Sequence, residues 1–151
     1  MNKLVLVTGG SRGLGKNAAL MLAAKGMDVV ITYLHNKEAA DEVVASIRWL
    51  GQRAAALPLN VGDVSMFGSF TDELSELLSQ YFERENIDAL INNAGMGEFA
   101  AFADTTEAQF DGLMNVHLKG AFFLTQSLLP LVNNGGKVIN VSSAVARVSQ
   151  S

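Results

Sequence analysis

Val7-Thr8-Gly9-Gly10-Ser11-Arg12-Gly13-Leu14-Gly15 is the stretch that decides how this chain is read. An apolar run, Leu4-Val5-Leu6-Val7, leads into it and has the composition of a strand buried on both faces. A helical pattern begins at Leu14. Strand, glycine turn and helix in that order form a phosphate cradle, because a helix N-terminus offers unpaired N–H groups and a partial positive charge. Gly9 suits a tight turn that a side chain would resist. Gly13 lets a diphosphate approach the backbone, and Gly15 lets the helix pack close to the strand. Glycines also make ordinary turns; it is their place in the first strand–turn–helix unit that favours the cradle.

The glycines run Thr-Gly-x-x-x-Gly-x-Gly, not G-x-G-x-x-G. Three further segments accompany them: Asn92-Asn93-Ala94-Gly95 after the apolar run Ala89-Leu90-Ile91, Asn115 in Asn115-Val116-His117-Leu118-Lys119-Gly120, and Ile139-Asn140-Val141-Ser142-Ser143. In this order and at these separations they closely resemble the short-chain dehydrogenase/reductase family. The resemblance covers all 151 residues and is strongest to NADP-dependent 3-oxoacyl-thioester and carbonyl reductases. The family's Tyr-x-x-x-Lys motif follows the serine strand by slightly more than the residues left here, so a C-terminally incomplete domain is expected.

Composition agrees with one globular domain over residues 1–151. Apolar residues make up 49% of the chain with only two prolines, which excludes a disordered chain. A net charge of −4 with no basic stripe gives no case for nucleic acid. The absence of cysteine excludes disulfide and thiolate chemistry. No apolar run has membrane-spanning length, and no metal is called for. The N-terminal apolar run leads straight into the glycine turn, so it reads as a strand and not a signal peptide. The expected location is the cytoplasm.

Strand and helix alternate along the chain. Strands are predicted at Lys3–Thr8, Val29–Tyr33, Ala54–Leu59, Ala89–Asn92 and Lys137–Val141. Helices are predicted at Leu14–Lys25, with Leu14, Ala18, Met21 and Leu22 on one face, at Lys37–Leu50, and over most of Val64–Glu85. Asp104 and Glu107 suggest a capping box for a last helix reaching about Val132. The fold expected is α/β, a Rossmann-type doubly wound parallel sheet of strand order 3-2-1-4-5 with right-handed crossovers. Its ligand crevice lies at the carboxyl ends of strands 1 and 4. Strand 5 has Val138 on one face and Ile139 and Val141 on the other, which predicts an interior strand with more strands beyond it.

The resemblance implies a dinucleotide contacted by Gly9, Ser11, Arg12, Gly13, Leu14, Gly15, Tyr33, His35, Asn36, Asn60, Val61, Asn92, Ala94 and Gly95. Charge argues for NADP over NAD. Tyr33 stands where an NAD site usually carries an acid, and Arg12 can reach a 2′-phosphate. Arg12 also reads as an exposed loop arginine, and His35 as an idle surface histidine. Asn60 replaces the family's usual aspartate. The reaction implied is hydride transfer between the nicotinamide and a carbonyl or alcohol substrate, with Ser143 contacting the substrate oxygen and Asn115 holding a relay water. Without the resemblance, Ser142-Ser143 reads as turn chemistry. Ala146 stands where the family often has glycine. Neither tyrosine fits the proton donor: Tyr33 ends strand 2 and Tyr81 lies on an inward helix face, so these residues alone are expected to be inactive.

His117 reads as a packed or surface histidine and Trp49 as packing. Phe99 and Phe102 read as either apolar lining or core. A homodimer or homotetramer is implied for the complete protein. Two other readings stay open: a non-catalytic dinucleotide-binding or regulatory domain, and a methyltransferase, which also uses a glycine turn after strand 1.

Overall fold

The computed structural model describes residues 2–143; Ala146 lies outside them. Among the described residues, five strands form one parallel sheet in the order β3-β2-β1-β4-β5, as the alternating pattern predicts. β1 (Leu4–Val7) is central, between β2 (Asp28–Tyr33) and β4 (Ile87–Asn92). β3 (Ala54–Pro58) flanks β2, and β5 (Val132–Asn140) flanks β4.

Period-two alternation divides each strand between two cores. Leu4 and Leu6 pack on one face with Phe67, Leu74 and Leu78 of α3 (Phe67–Gln80) and Leu124 and Leu128 of α5 (Ala121–Leu128). Val5 and Val7 pack on the other with Ala19 and Ala23 of α1 (Gly13–Ala24) and Val43 and Ile47 of α2 (Lys37–Trp49). Burying one such side chain stabilises the fold by roughly 1.5–3 kcal/mol.

Several local expectations are corrected. The inward face of α1 is Gly15, Ala19 and Ala23, at i, i+4 spacing; Leu14 and Met21 are exposed. Gly15 is held to no side chain at all by the loop that precedes the helix, while Leu22 of the expected face is half-buried and packs with Leu20 at the edge of that core. The third helix opens with a 3₁₀ turn, Val64–Met66, and α3 ends at Gln80, short of Glu85. Beyond it Glu83 takes a positive φ of 56° as the chain turns toward β4.

The capping box before the last helix is Thr106 with Gln109, not Asp104 with Glu107. Thr106 Oγ1 accepts from Gln109 N at 3.3 Å, and Gln109 Oε1 accepts from Thr106 N at 2.9 Å. The helix is not continuous either. α4 (Glu107–Met114) widens into a π turn over Asn115–Gly120 before α5. Gly120 ends that turn against the Val61 carbonyl, where a Cβ would overlap the oxygen.

β5 starts earlier than its apolar run suggests, because Asn133 to Gly136 join it through a register shift opposite Ile87 and Ala89. Among the described residues it forms one edge of the sheet, opposite β3, and Val138, Ile139 and Val141 are exposed. Trp49 is 86% exposed and Phe99 and Phe102 are 90% and 99% exposed, so none of the three packs in a core. No helix among the described residues is long and apolar enough to cross a membrane.

Candidate functional site

The carboxyl ends of β1, β2 and β4 meet in one knot of hydrogen bonds. Thr8, almost wholly buried, accepts at Oγ1 from the backbone N–H of Asn93 and of Ala94, both at 3.0 Å. Asn93 replies with Nδ2, which donates to the carbonyls of Thr8 at 2.9 Å and Gly9 at 3.2 Å. On the other side Thr32 Oγ1 accepts from Gly9 N at 3.1 Å, and its carbonyl accepts from Gly10 N at 2.9 Å. These bonds satisfy the strand ends and fix the glycine loop. Thr8 opens the Thr-Gly-x-x-x-Gly-x-Gly motif, but nothing in the motif shows what its hydroxyl bonds to, and Thr32 carries no motif signal; a threonine ending a strand beside such a loop is the only hint.

The loop fits the cradle read from its glycines. Gly9 has φ +66°, and a Cβ there would sit 2.9 Å from Ala94 Cα. A Cβ on Gly15 would overlap the Gly9 carbonyl and the Asn93 amide. The N-terminus of α1 therefore abuts the loop, and Arg12, exposed and extended, precedes it.

A cavity of about 490 Å³ opens there, lined by Gly9, Ser11, Arg12, Gly13, Leu14 and Gly15 from the loop. Tyr33, His35, Asn36, Asn60, Val61, Ala94 and Gly95 line it from the neighbouring strand ends. Two of the amides are partly committed. Asn36 Oδ1 caps α2 by accepting from Ala39 N at 2.9 Å, and Asn60 Oδ1 accepts from Gly62 N at 3.0 Å. Each keeps its N–H groups for a ligand. No acidic side chain lines this cavity.

A second cavity of about 920 Å³ adjoins the first through Leu14, Asn93, Ala94 and Gly95, which line both. Asn92, Asn140, Ser142 and Ser143 form its polar side, and Leu118, Phe122, Leu129 and Val138 its apolar side. Asn92 is only 8% exposed; its Nδ2 donates to Thr125 Oγ1 at 2.9 Å and Asn140 Oδ1 at 2.8 Å, and its Oδ1 is buried without a partner. Of the residues named from sequence as catalytic or cofactor-binding, all but Asn115 line one cavity or the other. Asn115 opens the π turn, half-buried, and lines neither. That placement gives no support to its holding a relay water.

His117, expected to be packed or on the surface, lines the second cavity and bonds to Met96. Phe99 and Phe102 line neither cavity. Tyr33 lines the first cavity, whereas Tyr81 packs edge-on against Phe82 with the Arg48 guanidinium over its ring, so no tyrosine lines the second. Among the described residues no group of three or more His, Asp or Glu side chains gathers as metal ligands would.

Residues 3–151 match the sequence model of the short chain dehydrogenase family. The 3-oxoacyl-(acyl-carrier-protein) reductase FabG of Staphylococcus aureus is 35% identical over 150 residues, covering 98% of this chain and 58% of the relative. A short chain dehydrogenase from Burkholderia cenocepacia, solved in complex with NADP, superposes with a TM-score of 0.88 at 34% identity, over 99% of this chain and 59% of that one. The landomycin C-6 ketoreductase LanV, solved with NADP and rabelomycin, superposes with a TM-score of 0.93 at 35% identity, over 98% of this chain and 60% of that one. The chain spans somewhat more than half the length of these relatives.

Proposed function

Because the chain belongs to the short chain dehydrogenase family, we propose that it forms the dinucleotide-binding part of an NADP-dependent oxidoreductase acting on a ketone or secondary alcohol. The observation that carries this reading is the glycine cradle, too close-packed at Gly15 for a Cβ, opening into two adjoining cavities. The first takes the adenosine half. Arg12 supplies positive charge to a 2′-phosphate, His35 and the N–H groups of Asn36 add donors, and no carboxylate on the lining repels it. NADP in the Burkholderia cenocepacia and LanV structures supports the same choice.

The second cavity takes the nicotinamide half and the substrate. The cofactor, when bound, supplies the hydride. Ser143 donates to the substrate oxygen and holds it at reacting distance, while Leu118, Phe122 and Leu129 give the cavity an apolar wall. A 3-oxoacyl thioester or another ketone suits that wall. The developing alkoxide also needs a proton. Neither Tyr33 nor Tyr81 stands in this cavity to give it, so these residues by themselves bind without turning over.

An exposed apolar stripe runs from Phe110 and Met114 of α4 through Leu118 of the π turn and Phe122 of α5 to Leu129 just beyond it; its last three members also wall the second cavity, and the stripe supports assembly as a homo-oligomer. Light scattering of the complete protein checks this; a monomer at micromolar concentration refutes it.

Fluorescence titration with NADPH, NADH and S-adenosylmethionine tests the main reading. Preference for NADPH is expected. Binding of S-adenosylmethionine alone assigns a methyltransferase instead. NADPH binding by the complete protein, without reduction of any ketone in a broad panel, assigns the non-catalytic domain. In an active complete protein, Ser143→Ala lowers turnover and leaves NADPH affinity unchanged. A large loss on Ser142→Ala alone moves the role to its neighbour.

A further inference from the structure

The segment from Met96 to Thr105 leaves the cofactor-side turn and is exposed along its length. Its hydrogen bonds among the described residues are sparse. Asp104 N and Thr105 Oγ1 both bond to the Ala101 carbonyl, within the segment. The tie to the rest of the molecule is His117, 21 residues away on the π turn. Its Nε2 lies 2.7 Å from the Met96 carbonyl and 3.3 Å from Met96 N. The shorter contact is donation from Nε2–H to the carbonyl.

The ring also lies over Gly95. A Cβ there would stand 2.8 Å from His117 Cε1 and 3.5 Å from Nδ1. Gly95 lines both cavities, Met96 the first and His117 the second. One imidazole therefore reaches from the helix to the partition between the two chambers.

We propose that His117 is a positioning residue: it staples Gly95 and Met96 in place, and so sets the partition against which the second half of the dinucleotide lies. This rests on the dinucleotide reading above. Loss of the staple loosens the partition and leaves the distant phosphate end at Arg12 intact. Gly95 and His117 then act as a pair. A side chain on Gly95 displaces the ring, so Gly95→Ala and His117→Ala produce overlapping and not additive losses.

Two measurements on the same chain test this. Hydrogen exchange of His117→Ala is expected to quicken at the amides next to the staple, Asn93 and Ala94, which are bonded to Thr8 Oγ1, while β1 and α1 keep their protection. The affinity for NADPH is expected to fall by about threefold to tenfold, the scale of one hydrogen bond. The affinity for adenosine 2′,5′-bisphosphate, which lacks the nicotinamide half, stays unchanged. His117→Gln, which keeps a donor of similar reach, recovers part of the loss.

Unchanged exchange overturns the staple. Quickened exchange with unchanged NADPH affinity overturns the positioning role, and so does equal weakening of both nucleotides, which marks a general loss of fold. If the wild-type chain binds neither nucleotide, the dinucleotide reading fails and the positioning role falls with it; the exchange result still decides whether the staple exists.

Discussion

The two rims of the sheet meet the same physical problem differently. At each, strand ends leave N–H and C=O groups that β pairing does not satisfy. The amino rim closes on itself with charge. Asp88 accepts from Leu4 N at 2.8 Å, from the Arg84 guanidinium at 2.8 Å and from Asn133 Nδ2 at 2.9 Å. Asp28 accepts from Arg53 N at 2.8 Å and from Asn2 Nδ2 at 3.3 Å. The carboxyl rim uses neutral groups, Thr8, Thr32 and Asn93, to fix the loop, and keeps its cation, Arg12, at the cavity mouth. Charge is neutralised where the fold needs anchoring, and Arg12 is held at the mouth of the cavity proposed to take a phosphate.

The largest expected effect breaks the anchored rim. Asp88→Ala removes one acceptor from three donors and leaves Arg84, which is nearly buried, without its counter-ion. Breaking such a pair costs about 3 kcal/mol, at the low end for buried pairs because Asp88 keeps some solvent. In a chain of this size that lowers Tm by roughly 6–12 °C. Calorimetry should show this, and titration at a temperature where the variant is folded should show unchanged NADPH affinity. Weakened NADPH binding by folded variant would mean that the rims are coupled.

The converse substitution is Arg12→Ala. Each charge-assisted bond to a 2′-phosphate contributes roughly 1.5–3 kcal/mol, so NADPH affinity should fall about tenfold or more. NADH affinity and Tm should hold, since Arg12 is exposed and its side chain does not cap α1. Equal losses for both nucleotides would remove Arg12 from the 2′-phosphate site.

These two rims were not equally legible in the sequence. The cradle was, because its meaning is local: Leu4–Val7, the glycines and the helix start lie within a dozen residues. Strand order followed from alternation, since each strand carries its own apolar pattern. The amino-rim network was not legible, because it depends on Asp88 meeting Leu4 and Asn133 across 84 and 45 positions. The knot of Thr8 with Asn93 spans a comparable distance, 85 positions. Asn115 came from the resemblance and not from spacing, whereas the place of His117 at the second cavity was not legible for a different reason. A pattern of apolar spacing carries no sign of a π turn, and the wider turn changes which residues face the groove. Leu14 and Met21 differ for a simpler reason: apolar size suggests burial, whereas the fully buried positions of α1 are the small residues Gly15, Ala19 and Ala23, with Leu22 half-buried beside them.

The smallest effect separates charge from shape at the anchored rim. Partial burial pushes the Asp88 carboxyl up, but hydrogen bonds from Leu4 N–H, Asn133 and Arg84, with the guanidinium charge, outweigh it and hold the group below its ordinary value. A carboxyl lowered in this way stabilises the fold fully above its unfolded value, near 3.9. The contribution is lost as pH falls through the lower folded value. Asp88→Asn keeps the size and one acceptor and removes the charge. The wild type should therefore exceed the variant by about 1 kcal/mol near neutral pH, and the gap in Tm should narrow steadily below about pH 4. Comparing the two chains at each pH cancels the titration of every other carboxylate. A gap that stays constant as the pH is lowered from neutral until either chain unfolds would show that Asp88 anchors β1 by geometry alone, and that the contrast between a charged rim and a neutral one has no energetic content at this residue.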